Sequence, residues 1–423
     1  MIRYWPALLV GRIARILIRL VRKGGGSALP GLILSKIAPG ILYRVLGSFP
    51  KGLVIVTGSA GKSTTTKMLV NIVREHGVAV FTNPSTANIL QGFYSTIIER
   101  ANWSGKISGQ VAILEMDEAH AEELSRKIAP LQVTVLNVME DQLDRFVDPA
   151  LVRADLALVA QRASGDVLLN ADDQNTLLIA NEVRGVQPRF FGVASKVLGA
   201  QGRGLQNAPT YLPDLPRPQT SSEVSRLDGV RAELSGAWGK TDFDLPSRGV
   251  HFALDAVAAF ESARAFLGEG FDLQLATKAL GEVPPVFARG EMVQVNGEDV
   301  EFILVQNPGS MQLNLDNLVG EPEQLLFAIG RDVHDPSWLW TVDYSNLKHV
   351  DVCTGFNAYE AALVLHYNDV PMGLVTDDLE RAATAFFAMP KPKTGHKTVV
   401  FSADAMRRMR RALGFWSPEE VER

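Results

Sequence analysis

The residues best suited to chemistry lie in a short glycine-containing loop between a predicted strand and a predicted helix. Residues 53–56 are apolar, residues 57–64 read T-G-S-A-G-K-S-T, and a helical pattern follows to about Glu75. A helix N-terminus offers backbone N–H groups to an anion, and glycine lets the backbone approach it closely. In such loops the lysine contacts phosphate oxygens and the next hydroxyl binds Mg²⁺. We therefore predict a nucleotide site made of Gly58, Ser59, Ala60, Gly61, Lys62, Ser63 and Thr64.

The loop is shorter than the common phosphate-loop motif. The spacing G-x-x-x-x-G-K-[ST] requires glycine at position 56, where the chain has Val56. The alternative interpretation is an ordinary turn with a solvated lysine. Because an apolar strand precedes the loop and a long helix follows it, we favour nucleotide binding.

Polar residues also follow other short apolar runs. Glu115, Asn137 and Asn170 each come directly after such a run, and Asp173 lies three residues beyond Asn170. Ligands of open α/β sheets bind at the carboxyl ends of the strands, which makes Glu115 a candidate ligand-binding residue. The alternative for Glu115 is a solvated loop carboxylate, and for the other three residues it is a turn-forming role.

The order of the predicted elements indicates an α/β protein of two domains. The chain has 423 residues, more than one average domain. Apolar runs separated by stretches long enough for crossover helices predict a parallel sheet covered on both faces, and the pattern resumes after the break at Pro284 and Pro285. We expect an N-terminal arm at 1–50, a central domain at 51–283 and a C-terminal domain at 284–423. Residues 199–249, rich in Pro and Gly, predict an irregular or extended insertion.

Composition and charge exclude several classes of protein. The net charge of -5 offers no global attraction to nucleic acid, and no nucleic-acid partner is expected. Cys353 is the only cysteine, which excludes an intramolecular disulfide and a cysteine-rich zinc site. It falls in a predicted buried strand, where we expect a small core residue and not a nucleophile. A single cysteine fits a cytoplasmic protein.

The N-terminus is basic and amphipathic. Residues 1–23 contain six basic residues and no acidic one, and the apolar residues recur at helical spacing. Arginines interrupt the apolar sequence too often for a membrane-spanning helix. One interpretation is contact with an anionic membrane surface at the inner face of the cell membrane. The alternative is a helix docked on the protein's own domain with solvated arginines.

Several segments together resemble the Mur ligases, the ATP-dependent amide-forming enzymes of peptidoglycan synthesis. The matching segments are the loop at 57–66, N-P-S-T-A-N at 83–88, L-E-M-D-E-A at 114–119, N-V-M-E-D-Q-L-D-R at 137–145, N-A-D-D at 170–173 and G-V-H at 249–251. Four features are similar to those of the MurT family. They are the form of the 137–145 segment, the basic N-terminus, Q-N-P-G at 306–309 and D-P-S-W-L-W-T-V-D at 335–343. This resemblance implies a Mur-ligase-type central P-loop ATPase domain followed by a smaller Rossmann-like domain.

The resemblance also implies a reaction. MurT proteins are the ligase subunits of lipid II isoglutaminyl synthases, which work with a glutaminase subunit, GatD. ATP would phosphorylate the α-carboxylate of D-glutamate in the lipid II stem peptide, and ammonia from the glutaminase would displace phosphate to leave D-isoglutamine. Two alternatives remain: a stand-alone Mur-type ligase acting on another carboxylate, or a degenerate ligase that serves as a scaffold for the glutaminase.

Residue roles follow from the same resemblance. Glu115 would bind Mg²⁺ with Ser63, and Asp335 would complete the catalytic Cys-His pair of the glutaminase across the interface. An Asp-Pro turn or a helix N-cap is the alternative for Asp335. Asn137 and Gln142 would line the nucleotide and metal site, and Asn170 and Asp173 would contact the nucleoside.

The chain departs from the family at several places. Ser59 and Ala60 stand where the family has Thr-Asn, and Asp255 stands where it usually has Asn. MurT proteins usually carry a four-cysteine zinc ribbon in the region of residues 199–249, where this chain has no cysteine. Zinc is therefore not expected here, and other contacts must hold the segment if it is ordered.

Overall fold

The computed structural model describes residues 4–21, 28–83, 90–102, 104–139, 148–284, 288–318 and 322–415. Its strands are β1 Leu53–Thr57, β2 Val80–Phe81, β3 Val111–Glu115, β4 Gln132–Val135, β5 Asp166–Asn170, β6 Arg189–Val193, β7 Ser222–Asp228, β8 Arg231–Gly236, β9 Gly239–Asp244, β10 Arg289–Val295, β11 Glu298–Leu304, β12 Leu325–Ala328, β13 Val350–Thr354, β14 Met372–Thr376 and β15 Lys397–Phe401.

Helices connect most of these strands. They are α1 Trp5–Val21, α2 Ala28–Ile37, α3 Gly40–Leu46, α4 Lys62–Glu75, α5 Leu90–Arg100, α6 Glu118–Ser125, α7 Pro149–Gln161, α8 Gln174–Glu182, α9 Ser195–Leu198, α10 Val250–Leu267, α11 Leu273–Gly281, α12 Pro308–Asp316, α13 Ala358–Tyr367, α14 Leu379–Phe387 and α15 Ala403–Ala412. Short 3₁₀ helices lie at Gly268–Gly270 and Pro336–Thr341.

The first sheet places the glycine loop at a topological switch point. Its strand order is β2-β3-β1-β4-β5-β6-β7-β8-β9. β1 pairs in parallel with β3 on one side and with β4 on the other, so the chain leaves β1 for one half of the sheet and later returns for the other half. A crevice opens at the carboxyl ends of the strands where the order reverses, and this crevice is where ligands of such sheets bind.

Two apolar layers cover this sheet. Every residue of β1 is buried, and alternate residues serve the two cores. Val54 and Val56 pack in the core that α4, α10 and α11 complete. Leu53 and Ile55 pack in the opposite core, which α1, α3, α5 and α7 complete. The predicted parallel sheet with helices on both faces is confirmed.

The segment at 199–249, predicted to be irregular or extended, is irregular in its first part and forms regular strands in its second. After an irregular stretch, β7, β8 and β9 form an antiparallel meander that extends the first sheet. Leu234 and Phe243 of this meander are buried in the core beside α10. Apolar packing and strand pairing therefore hold the part of the segment for which the sequence offers no zinc ligands.

Ion pairs anchor the irregular stretch. Arg217 pairs with Asp172 at 2.6 Å between Nε and Oδ1. Arg203 pairs with Asp316 at 2.6 Å between Nη1 and Oδ1, and it also pairs with Asp343. Asp316 is the last residue of α12, and Asp343 follows the 3₁₀ helix Pro336–Thr341. Arg203 therefore links the irregular stretch to the C-terminal part of the chain.

The second sheet has the order β10-β11-β15-β12-β13-β14, parallel except for the β10–β11 hairpin. One face packs under α12 and α13, and the other packs under α14 and α15. The two sheets separate between α11 and β10, where Pro284 and Pro285 lie in the sequence. Cys353 is fully buried in β13, as predicted, and burial raises the pKa of its thiol to about 12.

The N-terminal residues form three helices on the first domain. Leu8 of α1, Leu34 of α2 and Leu42 of α3 are fully buried in the core that contains α5. In the described residues, no single helix has the length and apolar composition to cross a bilayer. Leu29–Ile37 and Gly40–Leu46 meet that test only as a pair, and the two helices are bent by 99°.

We expect the β7–β9 meander to be part of the cooperative core. The change Leu234→Ala removes a fully buried side chain and should lower the free energy of unfolding by about 2–5 kcal/mol. Urea denaturation measures this change. Val230→Ala, at a position that is 37% exposed in the same meander, is the control and should change stability by less than about 0.5 kcal/mol. Equal stability of Leu234→Ala and the native chain would contradict a packed role for the meander.

Candidate active site

Two glycines give the loop after β1 its shape. Gly58 and Gly61 have φ values of 126° and 85°, which side chains disfavour. A Cβ at Gly58 would lie 2.9 Å from the carbonyl oxygen of Asn137, and one at Gly61 would overlap the Asp255 carboxyl group. Both positions therefore require glycine for conformation and for space.

Asn137 holds the loop from the end of β4. Its side-chain Oδ1 accepts a hydrogen bond from the Ala60 N–H at 2.8 Å, and its Nδ2 donates to the Ala60 carbonyl at 3.2 Å. The Asn137 carbonyl accepts from the Ser59 N–H at 3.1 Å. The Ser59 hydroxyl accepts from the Met139 N–H at 3.0 Å. The side chain and the carbonyl of Asn137 therefore fix the backbone of the phosphate loop. The sequence alone did not reveal these contacts.

The N-terminus of α4 points into the site. Gly61 precedes the helix, and within the described ranges no side chain caps it. The Lys62 ammonium lies over the loop, where it donates to the carbonyls of Gly58 and Ser59 and lies 3.3 Å from Glu118 Oε1. A cation and a helix N-terminus converge here, which is the arrangement that binds phosphate.

Ser63 and Glu115 come together as predicted, at the start of α4 and the end of β3. The Ser63 hydroxyl donates to Glu115 Oε1 at 2.8 Å. Asn83 fixes the Glu115 backbone, donating to its carbonyl at 3.1 Å and accepting from its N–H at 3.1 Å. Asp117 is buried nearby and lines the same cleft.

This donor set suits Mg²⁺. Mg²⁺ prefers oxygen ligands, and it is usually held by one or two carboxylates together with water and substrate phosphates. A hydroxyl and a buried carboxylate beside a phosphate loop meet that description. In the described part of the chain, no three His, Cys, Asp or Glu residues group to hold a metal by themselves. Water and the phosphates of a nucleotide would supply the remaining ligands.

The C-terminal domain forms the opposite wall of the cleft. Its contributions are Arg289, Leu304, Gln306, Asn307, Ser310, Leu313 and Asn314. Arg289, at the start of β10, is a charged group that sequence reasoning missed. The sequence shows that Arg289 is charged. No local sequence pattern indicates that the start of its strand will face the glycine loop.

The Q-N-P-G segment explains how this wall is built. Asn307 caps α12, accepting from the Ser310 N–H at 2.7 Å, while the Ser310 hydroxyl accepts from the Asn307 N–H at 3.1 Å. Pro308 occupies the first turn, where a missing N–H costs nothing. A Cβ at Gly309 would lie 3.2 Å from Gln206 Cβ, so glycine allows α12 to approach the central domain closely.

Two titratable groups at the start of α10 lie beside the loop, Asp255 buried and His251 partly buried. Burial raises the pKa of Asp255 to about 8, against a smaller opposite effect of the Arg289 charge. Burial also lowers the pKa of His251 to about 4, and Arg289 lowers it further. Near neutral pH both side chains are therefore uncharged, and positive charge enters the cleft from Lys62 on the loop and from Arg289 on the opposite wall.

Asn170 and Asp173 make hydrogen bonds to the backbone around the ends of β4 and β5. Asn170 donates to the Leu136 carbonyl at 3.0 Å and accepts from the Asp172 N–H at 2.9 Å. Asp173 accepts from the N–H groups of Val138 and Asn175 at 2.7 and 2.9 Å, and burial raises its pKa to about 6. Both side chains are fully buried. Neither residue is among the described residues that line the cleft. Nucleoside contact by either residue stays a prediction.

The remaining predicted residues lie in three different places. Thr64 lines the cleft with the rest of the loop. Asp335 lies away from it on the C-terminal domain, exposed, and accepts from the Ser337 N–H at 3.0 Å as the cap of the 3₁₀ helix Pro336–Thr341. Hydrogen bonds from Ser337 hold the pKa of Asp335 below its ordinary value. Gln142 lies outside the described residues.

The sequence and the fold are similar to those of known ligases. Residues 56–262 match the Mur ligase middle domain. The chain is 27% identical over 382 residues to the lipid II isoglutaminyl synthase (glutamine-hydrolyzing) subunit MurT of Streptococcus pneumoniae, covering 82% of this chain and 81% of that protein. It is 24% identical over 412 residues to the subunit MurT of Staphylococcus aureus, covering 90% and 92%.

Solved structures of Mur ligases share the fold. MurF from Acinetobacter baumannii superposes with a TM-score of 0.68 at 16% identity, covering 93% of this chain and 81% of that one. MurF ligase from Thermotoga maritima, solved in complex with ADP, gives a TM-score of 0.65 at 18% identity, covering 92% and 84%.

The solved structures show that the chain has the Mur ligase fold, and its similarity to MurT over most of its length marks it as an ATP-dependent ligase. Among such ligases the protein is MurT-like, because its similarity to MurT continues through the C-terminal domain and beyond the middle-domain match.

The buried Asp255 makes stability depend on pH. Its carboxyl group stays protonated in the folded protein up to about pH 8, whereas in the unfolded chain it ionises above its ordinary pKa of 3.8. Native stability should therefore fall as pH rises through this window. Asp255→Asn removes the effect, so its melting temperature relative to the native chain should rise from about pH 4 to about pH 8 and then level off.

Thermal unfolding at several pH values measures this difference. Asp228→Asn, which changes an exposed carboxyl group at the end of β7, is the matched control and should follow the native curve. A constant difference between Asp255→Asn and the native chain at all pH values would show that burial does not hold this carboxyl group neutral.

Proposed function

We propose that this protein is the ligase subunit of a lipid II isoglutaminyl synthase. It would use ATP to activate the α-carboxylate of D-glutamate in the lipid II stem peptide, for amidation with ammonia from a GatD-like glutaminase. The observation that carries the proposal is the phosphate loop with its open helix N-terminus and Lys62, facing a second domain of MurT type across a cleft.

The chemistry requires an activated carboxyl group, because a carboxylate does not react with ammonia at neutral pH. A carboxylate oxygen attacks the γ-phosphorus of ATP and ADP leaves, which forms an acyl phosphate. Ammonia then adds to the acyl carbon, phosphate leaves and a proton is lost. Phosphoryl transfer depends mainly on positioning and charge neutralisation.

The residues of the cleft can supply both needs. Lys62 and the N–H groups at the start of α4 would bind the phosphates, and Arg289 adds positive charge from the C-terminal wall. Ser63 and Glu115 would hold Mg²⁺, which supplies further charge neutralisation at the phosphates. Keeping Asp255 neutral avoids a negative charge behind the loop at neutral pH.

The intact loop favours an active ligase over a degenerate scaffold. Gly58 and Gly61 keep the backbone geometry, and Lys62 and Ser63 are present. The replacement of the family's Thr-Asn by Ser59 and Ala60 leaves the contacts of Asn137 with the loop in place. We also propose a cytoplasmic location, since the reaction consumes ATP.

Replacing Lys62 by alanine should reduce ATP-dependent formation of isoglutaminyl lipid II by about 10²–10³-fold, because a group that stabilises the transferring phosphate is lost. The assay uses the chain with its glutaminase partner, ATP, Mg²⁺, glutamine and lipid II. Lys196→Ala, at an exposed position on α9, is the control and should retain activity. Full activity of Lys62→Ala would exclude the proposed mechanism.

We propose that the glutaminase binds an exposed, largely aromatic surface next to Asp335. The surface consists of Trp340, Phe356, Tyr359, Leu363 and Tyr367, which are 50–70% exposed. Trp340 belongs to the 3₁₀ helix that Asp335 caps, and its ring lies 5.5 Å from that of Tyr367 on α13. Exposed aromatic residues are enriched at the centres of protein interfaces. This surface supports a partner that covers Asp335, which would then orient the glutaminase histidine.

The change Asp335→Asn tests this role. If the carboxylate orients a histidine of the partner, glutamine-driven amidation should fall by about 10²-fold or more while amidation with added ammonium salts is retained. The control is Asp369→Asn, because Asp369 is exposed just after α13. Asp332 cannot serve as a control because its carboxyl group accepts hydrogen bonds from the backbone at the start of α15. An equal loss with glutamine and with ammonium would assign Asp335 a structural role only.

A further inference from the structure

Helix α1 turns an apolar stripe toward solvent. The stripe consists of Trp5, Leu9, Val10, Ile13, Ile16 and Leu17, which are 36–60% exposed. These residues recur at intervals of three and four positions, so they share one face of the helix. A contiguous exposed apolar face, unlike scattered exposed apolar residues, marks an interaction site.

The opposite face of α1 fixes this orientation. Leu8 is fully buried, and a Cβ at Gly11 would lie 2.9 Å from Ile98 Cδ1, so the helix lies close against α5. Arg12 donates to the carbonyls of Ile98 and Ala101 at the end of α5. Arg15 pairs with Glu99 at 2.6 Å. Helix α1 is therefore docked on the protein's own domain, as the alternative interpretation held, but Arg12 and Arg15 are bonded to the protein and not solvated, and the apolar stripe points outward.

Helix α2 extends the exposed surface. It packs against α5, with the Gly31 N–H donating to the Ser95 hydroxyl at 3.1 Å. Its residues Leu29, Leu32 and Ile37 are nevertheless 37–53% exposed. We call the stripe of α1 together with these three residues the outer apolar surface.

The positive charge of the N-terminal segment favours a lipid membrane as the partner that covers the outer apolar surface. In the sequence, Arg19, Arg22 and Lys23 follow the stripe, and residues 1–23 contain no acidic residue. Apolar residues flanked by basic ones suit the interface of an anionic bilayer, and a tryptophan such as Trp5 prefers that depth. A second copy of the chain fits less well, because an isologous contact of this segment would offer these basic residues no acidic partner from residues 1–23.

We propose that α1 and α2 dock the protein on an anionic membrane through the outer apolar surface. The stripe of α1 lies in the plane of the interface with its apolar side chains among the acyl chains, and the positive charge of residues 1–23 favours anionic lipids. The inference rests on the exposure and fixed orientation of α1 and does not depend on the reaction that the cleft catalyses.

Vesicle co-sedimentation of the full chain tests the proposal. The protein should bind vesicles of phosphatidylcholine with phosphatidylglycerol at least about tenfold more strongly than phosphatidylcholine alone, and high salt should weaken binding. The double change Ile13→Glu with Ile16→Glu should reduce binding at least about tenfold. Leu151→Glu with Leu158→Glu, at positions 55% and 37% exposed on α7, adds the same charge elsewhere and should bind nearly as well as the native chain.

Thermal unfolding and nucleotide binding check that both double variants are folded. The milder change Leu17→Gln removes one exposed side chain of the stripe without adding charge and should weaken binding by a smaller factor. Failure of the native chain to bind anionic vesicles would overturn the proposal, as would equal binding by the Ile13/Ile16 variant. If that variant instead dissociates a dimer while the native chain ignores vesicles, the occupant is a second copy and the proposal is wrong.

Discussion

The close approach of the loop after β1 to its surroundings is the constraint on which the rest of the site depends. Gly58 and Gly61 adopt backbone conformations that side chains disfavour, and each has another group where a Cβ would stand. This tight path leaves the N-terminus of α4 open at the switch point of the sheet. Asn137 can then form hydrogen bonds to the backbone of the loop. Asp255 can lie directly behind the loop, where burial keeps its carboxyl group neutral. The electrostatics of the cleft follow from that geometry.

The second domain completes the site through a few short-range contacts. Gly309 lets α12 approach Gln206, and Arg203 bridges to Asp316 and Asp343 across the same boundary. These contacts place Arg289 and the capped start of α12 opposite the loop. The irregular stretch before β7 thus contributes to the boundary between the domains through Gln206 and the ion pairs of Arg203.

The sequence predicted the parts of the site that follow from local signals. The strand, loop and helix at 53–75 and the meeting of Ser63 with Glu115 could be foreseen, because strand ends and helix starts gather at one edge of a parallel sheet. Asn170 and Asp173 also follow a strand, yet β5 lies two strands from β1 and their bonds go to the backbone. The β7–β9 meander was not predicted as strands, because the four prolines at 209–218 led the whole segment to be interpreted as irregular or extended, although residues 222–244 contain none.

The sequence by itself determined the class of fold, the phosphate loop and the similarity to the MurT family, since each rests on residues that are neighbours along the chain. Only the tertiary structure decided which charges face the loop, that Asp255 and His251 are uncharged, and which face of α1 points outward. Burial and the pairing of distant groups, such as Arg15 with Glu99, set these properties. They arise when segments far apart in sequence pack together, so no local pattern can specify them.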